Sequence, residues 1–386
     1  MNSGLKTLGI YIHIPFCIRK CLYCDFLSFP EREEGQALYL DCLKKEIKAG
    51  AKECSGYAVD TIFIGGGTPT VVDPAAIAEI IDIIRDDYNL DKDAEITIEC
   101  NPGTSDRRAF EVYLKAGINR LSIGLQSPKD EELKLLGRIH NREQFEKCYK
   151  DAVAAGFTNI NVDLMSALPG QSTDSWIENL EYACGLKPKP THISAYSLII
   201  EEGTPFYDKY GEDETGLPSE DADRDMYHET EEILKKNGYH RYEISNYALD
   251  GRECLHNRRY WECREYIGFG LGAASYFAEK RFHNTRVMDE YTKLSHEGDF
   301  MSLRQEVEVL DEKAKMEEFM FMGLRLIEGV SVTEFESRFG KRLHEIYGSV
   351  IADLREKQLL EIEGDFVRLT NKGLDVSNYC MAEFLL

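Results

Sequence analysis

Six short runs rich in β-branched residues recur between residues 9 and 199, and stretches with helical spacing of apolar residues separate them. The runs are Gly9–Ile14, Thr61–Gly66, Glu95–Cys100, Arg120–Gln126, Asn159–Met165 and His192–Ile199. Helical periodicity marks Ala75–Arg85, Arg107–Ala116, Gln144–Ala155 and Trp176–Leu186. Alternation of a two-residue period with a 3.6-residue period specifies successive βα units. The strands of such units pair in parallel, because each crossover returns the chain to the same end of the sheet. Two α/β architectures satisfy this, an open doubly wound sheet and a barrel. In both, ligands gather at the carboxyl ends of the strands.

The chemically unusual residues follow those strand ends. Cys17, Cys21 and Cys24 follow the first run, and GGGTPT (Gly65–Thr70) ends the second. Glu99 with Asn101–Gly103 ends the third, Gln126 ends the fourth, and Asp163 lies late in the fifth. Five polar or metal-binding features at five strand ends predict one rim and one site.

The cysteines set the chemistry. Eleven are scattered along the 386 residues without a short, even framework. Met1–Leu8 carries no signal-peptide pattern, and no apolar run reaches the ~18 residues that span a bilayer. A reducing cytoplasm is therefore expected, where clustered cysteines are metal ligands before they are disulfides. Thiolates select zinc or iron–sulfur clusters. Structural zinc takes four ligands, commonly in two pairs. The second pair is missing, and His13 sits on the strand itself. A 4Fe–4S cubane wants one external ligand per iron, so three cysteines in one loop leave one iron open. The other eight cysteines, Cys100 among them, are read as packing.

Glycines in GGGTPT let a ligand approach backbone N–H and C=O groups without a Cβ in the way. The segment lacks the Gly-Lys-Ser/Thr of a P-loop and is not a dinucleotide fingerprint. A plain tight turn is the alternative. Glu99 could accept from ribose hydroxyls or form a rim salt bridge. Gln126, Arg138 and Asp163 are weak signals singly: an arginine is often a surface charge, and an aspartate often caps a turn.

After about Glu202 the alternation fades. Gly211–Asp221 is an acidic loop, Asp221–Asn237 a helix and Gly238–Ala248 a strand. From Ser302 the pattern gives a mostly helical unit, with helices over 331–340 and 343–358 and a hairpin over 359–370 turning at Gly-Asp. Two helices and a hairpin suggest a winged-helix shape. From Ser331 to Leu386, however, 7 Lys and Arg face 10 Asp and Glu, and the whole chain carries a net charge of −23. That balance excludes general nucleic-acid binding and favours a lid or a protein contact. The expected division is 1–205, 206–300 and 301–386.

The C-x3-C-x2-C spacing after a first strand, together with GGGTPT, resembles the radical S-adenosylmethionine (SAM) superfamily. The resemblance implies a partial (β/α)6 TIM-like barrel in which SAM chelates the open iron. The runs Tyr11–Phe26, Leu121–Ser127, Leu136–Asn141 and Asn161–Gln171 resemble oxygen-independent coproporphyrinogen III oxidases and their close relatives, over almost the whole chain. By that resemblance Tyr11, Gly66 and Glu99 hold the cluster-bound SAM. Tyr23, Gly67, Thr68, Gln126, Arg138 and Asp163 surround a second SAM, or its empty place.

Three departures separate the chain from those oxidases. They carry a further cysteine where Phe26 stands, and a longer N-terminal extension. HNRRYW (His256–Trp261) instead resembles the H-N-x-x-Y-W motif of the haem chaperones of the HemW type. The expectation is therefore a haem chaperone, with haem as cargo, an acceptor protein, an electron donor for the cluster and room for a homodimer. His256 is the candidate axial ligand, and Tyr260 and Trp261 offer flat faces to a porphyrin. An ordinary loop with packed aromatics is the plain alternative. No residue is assigned a catalytic role, and SAM cleavage is left open. The runner-up is an oxidase that decarboxylates propionates of coproporphyrinogen III, ahead of a radical-SAM enzyme for another substrate.

Overall fold

The computed structural model describes residues 5–30 and 33–386. Residues 1–4 of the Met1–Leu8 stretch, in which no signal-peptide pattern is expected, lie outside the described residues. The six expected strands are β1 (Lys6–Ile14), β2 (Tyr57–Gly66), β3 (Leu90–Cys100), β4 (Arg120–Gln126), β5 (Ile160–Ser166) and β6 (His192–Ser197). They lie side by side in chain order, parallel throughout. Helices Glu33–Gly50, Pro74–Asp87, Arg107–Ala116, Arg142–Ala155 and Thr173–Gly185 connect them. Side chains cap their starts: Asp73 accepts from Ala75 N, Asp106 from Ala109 N and Ser172 from Ser175 N. Asn141 and Gln144 form a reciprocal capping box. These caps satisfy N–H groups that have no partner within the helix.

The two-residue period sorts the strands into an aliphatic face and a polar face. Ile10, Ile12, Ile62, Ile64, Ile98, Leu121, Ile123, Val162 and Leu164 are fully buried in the main core. The alternate positions carry polar groups, and register lines them up across neighbouring strands. Thr61 pairs with Glu95, and Glu99 with Ser122. Gly124 pairs with Asp163, and Asp163 with Ser194. Partnered residues in parallel strands point to the same face, so one side of the sheet is a continuous polar lining.

The sheet extends beyond the six strands. Beyond β6 come two short strands, β7 (His240–Arg241) and β8 (Asn246–Ala248): β8 pairs antiparallel with β6, and β7 pairs antiparallel with β8 at the edge. The single strand expected over Gly238–Ala248 is thus two short strands. The buried Glu243 carboxylate accepts from Ser245 N and the Asn246 amide and turns the chain between them. On the other edge, β9 (Tyr266–Phe269) runs parallel to β1. Antiparallel β10 (Ala274–Phe277), β11 (Lys280–Asn284) and β12 (Arg304–Val309) follow it. The order is β12-β11-β10-β9-β1-β2-β3-β4-β5-β6-β8-β7. The two ends of this sheet do not pair with one another, which makes a partial barrel.

β12 lies in the main sheet, on the C-terminal side of residue 301. A second core starts at Met316 and includes Phe319, Phe335, Tyr347, Leu354 and Phe384. It joins helices Glu312–Gly323, Val332–Phe339 and Leu343–Glu356 to a three-stranded sheet of β13 (Val330–Ser331), β14 (Leu360–Glu363) and β15 (Phe366–Leu369). Gly364 supplies the positive φ of 59° that the tight hairpin turn between β14 and β15 requires. The result is winged-helix-like and mostly helical. No helix among the described residues is long and apolar enough to cross a membrane.

Candidate cluster and cofactor site

The loop after β1 is fastened at its base and middle. Phe29 N donates to Pro15 O (2.9 Å), Cys17 N to Phe29 O (3.2 Å), and the His13 ring meets Leu27 O (2.9 Å). Leu22 N donates to Leu136 O, and Phe206 N to Leu22 O, both at 3.0 Å. Cys17, Cys21 and Cys24 therefore stand on a held loop, each half-buried and free of disulfide. Among the described residues, no three His, Cys, Asp or Glu side chains converge as a single ion would need. The thiols line one cavity of about 130 Å³ at the carboxyl ends of the strands.

Tyr23, Gly66, Gly67, Thr68, Glu99, Gln126, Arg138 and Asp163 line the same cavity. The glycines have internal reasons as well. A Cβ on Gly67 would sit 2.6 Å from the Phe16 carbonyl oxygen. Gly67 N bonds Ile14 O (2.9 Å) and Thr68 N bonds Phe16 O (2.7 Å). Gly66 has φ 114°, and its N–H donates to the Glu99 carboxylate at 3.1 Å. The Thr68 hydroxyl lies 3.4 Å from the Cys17 sulfur.

Glu99 and Asp163 share the polar face. Burial, with the Asp163 charge beside it, pushes the Glu99 carboxyl up to about 8. Burial also raises Asp163, against bonds from Asn161 (2.7 Å) and Ser122 (3.2 Å). Two carboxyls whose ionised forms burial disfavours suit a cation or hydroxyl donors as neighbours. Arg138 bridges strand ends: it donates to Gly124 O (2.8 Å), to the Asn101 amide oxygen, and to Cys21 Sγ (3.6 Å). Gln126 owes its direction to a register shift after Gly124, where it takes a left-handed φ of 66°. Such bulges commonly re-aim side chains at functional sites.

Asn101 is a residue that the sequence placed at the end of the third run but gave no role in the site. Its amide nitrogen donates to Thr68 Oγ1 (3.0 Å) while its oxygen takes Arg138. Its place after the third run was the available signal. Ser122, Gly124 and the exposed Phe26 also line the cavity.

Two expected residues lie elsewhere. Tyr11, bonded to His13 Nδ1 at 2.9 Å, lines a neighbouring aromatic cavity instead. His256 lines neither cavity. HNRRYW is not a loop but all except the first residue of a helix, Leu255–Trp261, packed against the polar face. His256 is fully buried, with Nδ1 2.9 Å from Thr61 Oγ1 and Nε2 2.9 Å from the Tyr260 hydroxyl. Burial, with the nearby Arg259 and Arg120 charges, lowers its pKa to about 3. It offers no free ring nitrogen.

A partial parallel barrel with three loop cysteines, a glycine turn and a carboxylate rim defines a radical SAM fold. The Radical SAM superfamily matches residues 11–183, and the HemN C-terminal domain matches residues 310–376. The superfamily implies a 4Fe–4S cluster and SAM. The fold also matches the structure of coproporphyrinogen III oxidase (HemN) from Escherichia coli, with TM-score 0.85 and 22% identity, over 99% of this chain and 90% of that one. Among named relatives, the chain is 36% identical over 381 residues to "Heme chaperone HemW" of Lactococcus lactis, covering 99% of this chain and 98% of the relative. It is 35% identical over 376 residues to that of Bacillus subtilis, covering 97% and 98%. The Escherichia coli protein of the same name is 38% identical over 337 residues, 86% of each. The chain belongs to the HemW haem chaperone family.

Proposed function

We propose that this chain is a haem chaperone that binds haem and passes it to an acceptor protein, working in the cytoplasm. The observation that carries the reading is near full-length identity of 35–36% to relatives bearing that name. Phe26 at the position of the oxidases' further cysteine, and HNRRYW, support it over coproporphyrinogen oxidation.

The residues fit the cluster by the chemistry of their donors. Cys17, Cys21 and Cys24 would hold three irons, and the fourth would stay open for SAM. When bound, the cluster supplies one electron and the open coordination position. Tyr23, Gly66, Gly67, Thr68, Glu99, Gln126, Arg138 and Asp163 would bind one or two SAM molecules. Glu99 would accept from ribose hydroxyls, and Arg138, latched by Asn101, would keep the β4 end in place. Tyr11 would close the site from the aromatic side. An electron donor for the cluster and a homodimer belong to the same reading. As an axial ligand, His256 would first have to give up its bond to Thr61 or to Tyr260.

An anaerobic assay with reconstituted cluster, SAM, reductant and coproporphyrinogen III tests this. No loss of carboxylates by mass, with haem bound by the same preparation, is the expected result. Turnover to protoporphyrinogen would make the chain an oxidase.

A further inference from the structure

We propose that haem sits in the aromatic cavity between the end of helix Leu255–Trp261, strands β9 and β10 and helix Glu312–Gly323, with the Cys263 sulfur on the iron. This inference rests on the haem-chaperone reading and gives it an address. The cavity holds about 370 Å³, within the range of small-molecule sites of roughly 300–1,000 Å³. Tyr260, Trp261, Tyr266 and Tyr276 line it. A porphyrin is a flat apolar ring with carboxylates along one edge and a metal at its centre. Aromatic faces suit the ring. Arg264, exposed beside the cavity and paired to Glu262 at 2.7 Å, suits the carboxylates. Arg281 is less available, since Glu318 holds it with two bonds of 2.6 and 2.7 Å.

The metal needs a ligand, and the lining supplies sulfur. Cys263 takes a left-handed φ of 48°, just past the helix end. Glycine or asparagine usually fills such a position, because a Cβ is strained there. A cysteine held in that conformation, with its sulfur 3.5 Å from the Glu318 carbonyl oxygen, is placed on the cavity wall at some cost. Thiolate is an established haem ligand. Burial keeps the free thiol protonated, with its pKa up at about 12. Binding ferric haem therefore breaks the S–H bond, forms an Fe–S bond and releases one proton to solvent. Met322 offers a second, neutral sulfur on the same wall. In this arrangement His256 does not touch iron; it is a positioning residue that holds the Tyr260 ring. Tyr11 also lines the cavity, and the Glu99 charge of the cluster cavity acts on its hydroxyl, so the two cavities are near neighbours.

The test is titration of the cluster-loaded full chain with ferric haemin, followed by absorbance and electron paramagnetic resonance. Cys263→Ser keeps a side-chain donor toward the Glu318 carbonyl and removes the sulfur. It should abolish the thiolate-haem signature and weaken binding about tenfold. Ala274→Trp, at an exposed lining position, should fill the cavity and also weaken binding at least about tenfold, with circular dichroism unchanged. If the wild-type chain takes up no haem, the chaperone reading fails and the proposal with it. If the wild type binds and both variants bind equally well, the cavity assignment is overturned while the chaperone reading stands. A signature lost in Met322→Leu and kept in Cys263→Ser would overturn cysteine as the ligand.

Discussion

Nε2 of His256 and the hydroxyl of Tyr260 meet at 2.9 Å across one turn of a seven-residue helix. The other ring nitrogen reaches Thr61 on β2. The helix is further tied to the barrel through Leu255 N and His256 N, which donate to the Glu95 carboxylate. One histidine thus fixes an aromatic wall to the polar face of the sheet. His256→Ala should cost about 2–4 kcal/mol in denaturant unfolding of the cluster-free chain, from lost bonds and a buried gap. A loss below about 0.5 kcal/mol would mean that the histidine is not anchored as described.

The same residue gives a pH dependence. Its folded pKa is about 3 against an ordinary 6.5. Between those values the unfolded chain binds a proton that the folded chain does not, so this group's contribution to stability falls as pH drops below about 6.5. His256→Gln removes the titration while keeping hydrogen-bonding groups. Its stability should vary less between pH 6.5 and 5 than that of the wild type, by about 1–2 kcal/mol. Parallel curves would show that the imidazole is not held neutral.

Glu99 acts in the opposite sense. Its folded pKa is about 8 against an ordinary 4.5, so the folded chain keeps a proton that the unfolded one has lost. Stability from this group is present below about pH 4.5 and declines as pH rises towards 8. In the cluster-free chain, Glu99→Gln should be more stable than wild type at pH 8 by up to a few kcal/mol, the gap closing at pH 5. SAM carries a sulfonium charge and should favour the ionised carboxylate. Wild-type SAM affinity should then rise through pH 8, and that of the variant should stay flat. Calorimetry across pH 6–9 distinguishes the two.

Replacing Cys17, Cys21 or Cys24 by Ala should lower bound iron from about four to below about one per chain after reconstitution. The thiols are half-buried on a loop held by backbone bonds, so the cluster-free stability should change by less than about 1 kcal/mol. A large loss in the cluster-free chain would class them as core.

Much of this was legible because each barrel strand announces itself by a local period, and strand ends are where polar residues stand out. Arg107–Ala116 and Arg120–Gln126 keep their expected bounds, since a capping Asp106 and a terminal Gly117 punctuate one and a run of buried residues the other. β9 was not legible: it has four residues and pairs with β1, more than 250 positions earlier. The state of His256 was hidden for the same reason, because Thr61 and Glu95 come from distant strands. Asn101 looked like part of a turn until Arg138 and Thr68 converged on it.

The glycine turn offers the sharpest separation of packing from ligand contact. A Cβ on Gly67 would lie 2.6 Å from the Phe16 carbonyl oxygen and 3.0 Å from Phe16 N, and backbone cannot yield as a side chain does. Gly67→Ala should therefore push β1 and β2 apart just where the cysteine loop begins. We expect a loss of about 1–3 kcal/mol in the cluster-free chain and reduced cluster loading, because Cys17 follows Phe16 directly. Gly56→Ala is the control: nothing lies within 4 Å of the added carbon. It should leave both stability and iron content near wild type. If Gly67→Ala keeps full stability and loses only SAM affinity, the glycine is there for the ligand. If it loses stability before any ligand is added, close packing of the loop on β1 is the first reason for it, and access for SAM comes second.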